Sequence, residues 1–493
     1  MSKPTTLQQQ FEDAGISLKA DDNEYHPMLE IVDIMMGYKP KLNGLVKLWP
    51  PGFRTFHVLF KNSANMPYAM LGSEPFIREL FIAMYAASRE TGCEYCTATA
   101  VGVALRRGAL PSRITCTAQT PADAALFSMC KSLAKARADI TVDQISAMRA
   151  HFSEAQVEYI ALSVGLMGFM NLLTSVTGLK LEKAPLDETA NVLGSTGWTP
   201  GEKAPDDFKM PEQTGPVNDI PQREKLSTFL RMAKYGPHAM YVETKWVAGV
   251  PSKWPSAGRY LQNRTGYNFP ILSKITQHPA LLAYATIFRD NFDADLSEIG
   301  LIAKSLCGLV YATFTADEFL AEEARSLATI TARREGLPID ELTFTEIEKI
   351  AREPPPTTSE EVAALFERLN ALAGVTSRRA SAAIILSRAC SARPMVLAPI
   401  IITDVTSQLS PGEIVETIIW LGLQQCFHRV LRFYDVNNAV KTALKRRNQE
   451  METEPSSHSD SSEPKAEVKL RRKGLFAMFF GKRSNGGKTA KSS

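Results

Sequence analysis

At 493 residues the chain is long enough for two to four domains. Its 56 Lys and Arg against 53 Asp and Glu leave a net charge of only +3, too small to imply a nucleic-acid or membrane partner for the molecule as a whole. Seven cysteines without dense spacing, behind a polar start with no secretory apolar core, predict an intracellular, cytoplasmic protein in a reducing compartment. No apolar run is read as reaching the roughly 18 residues that a spanning helix needs.

Residues 1–26 are polar and read as a flexible N-terminus. From Pro27 apolar residues recur at helical intervals (Leu29, Ile31, Val32, Ile34, Met35) until Gly37 and Pro40 stop them. Residues 42–48 and 53–60 make two further helices, and 62–65 read as a loop. A helix after Pro75 then leads to Gly92, Cys93 and Cys96. If Gly92 ends one helix and the cysteines open the next, both sulfurs lie in a first turn. There the free backbone N–H groups and the positive end of the dipole favour a thiolate, and two thiols so spaced can close a disulfide. Helices over 122–138 and 154–174 complete a bundle, so 27–183 reads as an all-α domain.

Residues 184–222 are rich in Pro, Gly and Asp and read as a linker that packs on the bundles through Trp198. Beyond it the chain starts again. Gly37-Tyr38-Lys39-Pro40 and the stretch from Pro51 to Lys61 have counterparts in Gly266-Tyr267-Asn268-Phe269-Pro270 and the stretch from Pro279 to Arg289. Ser153 to Gly165 aligns without gaps on Ser410 to Gly422, each an apolar helix behind a serine cap. This second all-α domain, 223–444, has no C-x-x-C; its Cys307 reads as a buried small hydrophobe. A tail, 445–493, is predicted disordered. It ends in KLRRKGLFAMFFGKR, where basic residues flank an aromatic run suited to an anionic membrane surface, or to docking on a partner.

A single C-x-x-C is also a zinc spacing, but zinc needs two further ligands, and Cys116 and Cys130 are not so arranged; no metal and no cofactor is expected. His57 and His151 share the half and are weighed as bases, each against the plain reading of a core or surface histidine. Glu79, near the start of an apolar helix, is the better candidate acid. Glu94 reads as solvent-facing and Tyr95 as packed. Cys426 and His428 stand two apart and point in different directions on a helix. Met167, Phe169 and Met170 read as core.

The run GCEYCTATAVGVALRRGA, with Arg78-Glu79 before it and Gly108 at its end, resembles the core motif of the AhpD-like/carboxymuconolactone decarboxylase superfamily. The resemblance implies two AhpD-like helical bundles in tandem, the second degenerate, and homo-oligomers. It also implies a thiol-dependent oxidoreductase of alkylhydroperoxidase type, in which Cys96 attacks a peroxide or disulfide substrate, Cys93 resolves, Glu79 relays protons and an external thiol reduces. The family histidine four residues after the second cysteine falls on Ala100. Two alternatives stand beside this reading. One is a decarboxylase-like enzyme acting on a small carboxylated metabolite. The other is a non-catalytic regulator or scaffold, since sestrins are similar in gross plan.

Overall fold

In the computed structural model the described residues are 5–19, 25–64, 76–117, 119–212, 215, 217–221 and 226–453, with side chains to 442. Every helix or strand element among them is a helix, and the fold is all-α. The chain divides into two units, Met1–Ala443 and Leu444–Ser493. Of the second, only the last turns of one helix, to Thr453, are described. That helix enters the stretch read as a disordered tail; the basic aromatic segment lies outside the described residues.

The helices of the first half are α1 (Leu7–Asp13), α2 (His26–Met36), α3 (Lys41–Val46), α4 (Pro50–Ser63), α5 (Phe76–Glu90), α6 (Glu94–Arg106), α7 (Pro111–Ile114), α8 (Pro121–Ala134), α9 (Val142–Arg149), α10 (Glu154–Val176) and α11 (Lys183–Gly194). Two findings differ from the sequence reading. The N-terminal stretch read as flexible carries α1, because Thr6 caps it and Leu7 and Phe11, one turn apart, are both buried. The stretch read as a linker carries α11, which packs on α6, and Trp198 behind it is buried as expected of an anchor.

The helices that follow are α12 (Leu226–Trp246), α13 (Ser256–Thr265), α14 (His278–Asn291), α15 (Leu301–Thr315), α16 (Glu318–Glu335), α17 (Glu341–Arg352), α18 (Ser359–Asn370), α19 (Arg378–Ser391) and α20 (Pro411–Thr453). α5 and α6 form a hairpin packed on α10, and α15 and α16 form a second hairpin. Both long helices begin in the same way. Ser153 Oγ accepts the Gln156 amide while Gln156 returns a bond to the Ser153 amide, and Ser410 and Glu413 do the same for α20.

α10 and α20 then cross at glycines. A methyl group placed on Gly165 would stand 2.6 Å from Val430 Cγ2 and 3.3 Å from the Cys426 carbonyl. One on Gly422 would stand 2.9 Å from Leu173 Cδ1 and 3.2 Å from the Phe169 carbonyl. In the gap-free alignment Gly165 matches Gly422, Phe169 matches Cys426 and Leu173 matches Val430. The contact is therefore reciprocal, as at a two-fold interface. α4 and α14, the other matched pair, also pack on each other, with Arg54 Nε 3.3 Å from Asp290 Oδ2.

α10 is long and apolar enough to cross a membrane, contrary to the expectation that no run reaches that length. Its apolar window is wholly buried by other helices, so its hydrophobicity builds the core here.

Candidate dithiol site

The α5–α6 turn places the two sulfurs. Gly92 sits at φ +65°, a left-handed position that a side chain would strain, and it ends α5. Cys93 follows in extended backbone as the N-cap of α6, and its Sγ accepts the Cys96 amide at 3.3 Å. The sulfur thus takes the place of the usual Ser or Asp oxygen at a helix start. The turn is held to α10 by Asn171, which accepts from Ser88 Oγ at 3.2 Å and donates to Thr91 Oγ1 at 2.7 Å.

Thr174, one turn further along α10, joins the pair. Its Oγ1 stands 3.2 Å from Cys93 Sγ and 3.2 Å from Cys96 Sγ, and 3.0 Å from the Met170 carbonyl. A hydroxyl has one proton to give. The Met170 carbonyl and a sulfur that ionises compete for it. Both cysteines are free and buried, at 2% and 1% exposure.

The two thiols are driven apart in acidity. Burial raises Cys93, but hydrogen bonds from Cys96, Thr174, the Cys96 amide and Ser175 outweigh it and hold the thiol at about 7. Burial, and then the Cys93 sulfur beside it, push Cys96 well above the ordinary thiol range. Both directions favour the thiolate on Cys93, whereas the family resemblance gives the attacking role to Cys96; the Thr174 hydroxyl serves both sulfurs alike, and the Cys96 amide adds a donor at Cys93 alone.

Lys203 supplies the cation. Its Nζ is 3.3 Å from the carbonyls of Thr174 and Ser175, at the negative end of α10. It lies within electrostatic reach of both sulfurs. Burial lowers its own pKa, while the cysteines act to raise it. Within electrostatic reach of Cys96, Tyr95 donates to Glu182 at 3.0 Å, and Tyr38 pairs with Thr99 at 2.9 Å. Burial raises the Glu182 pKa, and its Oε2 has no partner.

The structure does not bring the other candidates to the sulfurs. Glu79 lies in the first turn of α5, roughly 20 Å of helix from Cys93. There it forms a two-pronged pair with Arg113, at 3.0 and 2.5 Å, and Arg113 also binds Asp123. His57 is buried against Phe53 and Phe56, which lowers its pKa to about 3. His151 is exposed at the start of α10, roughly 35 Å of helix from Thr174. Ala100 is a buried residue of α6. Among the described residues no group of three His, Cys, Asp or Glu is placed to hold a metal ion.

Sequence reasoning missed Thr174 and Lys203. Asn171 and Thr174 are polar residues three apart in an apolar helix, a signal that could have been read; nothing local marks Lys203. Thr174→Val keeps the shape and removes the shared hydroxyl. A charge-assisted hydrogen bond of about 1.5 kcal/mol corresponds to about one pKa unit. The midpoint of Cys93 alkylation against pH is therefore expected to rise by about one unit in this variant, with thermal stability little changed.

Fold and site together define an all-helical protein with a buried, hydrogen-bonded pair of thiols of unequal acidity. Compared with protein-family models, with curated proteins and with solved structures, the chain matches none.

Proposed function

We propose that the chain is a thiol-dependent oxidoreductase of alkylhydroperoxidase type that cycles Cys93 and Cys96 between dithiol and disulfide. The observation that carries this is the Thr174 hydroxyl set 3.2 Å from both sulfurs, with the Cys96 amide donating to Cys93. The Cys93 thiolate attacks the outer oxygen of a hydroperoxide, and the O–O bond breaks. Cys93 becomes a sulfenic acid, and the alkoxide leaves as an alcohol with a proton from Lys203. Cys93 then carries no charge, so one cause of the high Cys96 pKa is gone. Cys96 gives its proton back to Lys203 and attacks the Cys93 sulfur, expelling hydroxide, which leaves as water with that proton. An external thiol reductant returns two electrons and two protons.

The tandem reading is part of the same proposal. What supports it is the reciprocal glycine crossing of α10 and α20 and the matched capping boxes. In this reading the second half keeps the scaffold without the cysteines. One observation favours a second reading, a non-catalytic regulator or scaffold: neither sulfur reaches the surface.

The test is treatment of the reduced chain with an organic hydroperoxide, followed by peptide mapping and then by assay with a dithiol reductant. A Cys93–Cys96 disulfide with repeated peroxide turnover is the expected result. A disulfide without turnover would favour the regulator, and two unoxidised thiols would sink the oxidoreductase reading.

A further inference from the structure

The α15–α16 hairpin carries a second polar site that the dithiol chemistry does not use. Its turn is Ala316, at φ +56°, followed by Asp317, the N-cap of α16. Asp317 Oδ1 accepts the Leu320 amide at 3.1 Å, and Oδ2 meets Nδ1 of His428 at 2.6 Å. Asp317 thus stands where Cys93 stands in the first hairpin. His428 on α20 matches Asn171 on α10, and each of the two contacts its own hairpin.

His428 is 3% exposed, and its Nε2 has no hydrogen-bond partner. The histidine lines a cleft of about 440 Å³, together with Arg137, Arg432, Glu318 and Asp435. Asp435 is paired with Lys274 at 2.7 Å. Arg137 and Arg432 are exposed and form no ion pair among the described residues. Arg137, Asp317 and Glu318 also line an adjoining hollow of about 720 Å³. There the 6%-exposed Arg388 has an Nη1 without a partner. Two guanidinium groups without ion pairs on one cleft, beside a ring that a carboxylate fixes, are suited to a small oxyanion.

We propose that this cleft binds a small carboxylate or phosphate, with Arg137 and Arg432 meeting its charge beside the His428 ring. Asp317 is the positioning residue that holds the ring. The proposal stands independently of the dithiol reading.

The full chain, labelled with ¹⁵N at histidine, would be titrated with inorganic phosphate and separately with acetate, and with chloride at matched ionic strength as control. The His428 imidazole signal is identified by its loss in His428→Gln. A saturable shift of that signal with phosphate, acetate or both, and not with chloride, is expected; which anion acts distinguishes the two classes. Arg137→Ala, at an exposed position that leaves the core untouched, should weaken the binding about tenfold. The proposal is overturned if neither anion shifts the signal beyond chloride. It is also overturned if the double variant Arg137→Ala/Arg432→Ala binds as the unaltered chain does.

Discussion

Cys93→Ser is expected to slow oxidation of the chain by hydroperoxide at neutral pH by about tenfold or more, whereas Cys96→Ser leaves the first oxidation step fast. At pH 7 a thiol held at about 7 is half ionised. The remaining thiol, Cys96, is raised first by burial, which the substitution leaves in place, so less of it is thiolate at neutral pH. Reaction rate follows that fraction, offset only in part by the greater nucleophilicity of the more basic sulfur. In Cys96→Ser the serine hydroxyl can still donate to Cys93, so the low midpoint survives. With no resolving thiol, the sulfenic acid should accumulate and be trapped by a dione reagent. Stopped-flow oxidation with mass analysis distinguishes the outcomes. If Cys96→Ser is the slow variant, the attacking role belongs to Cys96, as the family resemblance implied, and the assignment from hydrogen bonding is wrong.

Lys304→Met is expected to destabilise the fold by about 3–5 kcal/mol, because it leaves a carboxylate buried without its cation. Lys304 on α15 and Glu416 on α20 are both fully buried and stand 2.5 Å apart. The ammonium also donates to the Asn291 carbonyl at 2.8 Å and lies over the Trp49 ring. Glu416 accepts from Ser297 Oγ at 2.7 Å and from the amides of Glu298 and Ile299 at 2.7 and 3.0 Å. The pair therefore ties α15, α20 and the loop before α15 to the tryptophan that precedes α4. Burial lowers the Lys304 pKa, so the charged form depends on Glu416. In the double variant Lys304→Met/Glu416→Gln the amide keeps an acceptor for the loop, and much of the loss should be recovered. Denaturant midpoints for the two single variants and the double variant measure the coupling. Additive losses would show that the two side chains do not act as a pair.

The all-α class, most helices and the position of the dithiol on a first turn were legible in the sequence. Helical periodicity, a breaking glycine and a serine cap are settled by residues within a turn or two of each other. Ser153 with Gln156, and Gly92 before Cys93, are of that kind. The short α1 and α11 were not legible, because each depends on surfaces that distant helices provide. The same holds within the site. Thr174 reaches Cys93 from 81 residues away, and Lys203 arrives from a stretch that reads as a linker. Glu79 is the opposite case: its place near the start of an apolar helix made it the candidate acid, yet that helix holds it about fourteen residues from Cys93, where Arg113 binds it. Sequence by itself determined that two thiols would share a helix start. The crossing of α5, α6 and α10 decided which donors stand around each sulfur, because packing alone brings those donors in.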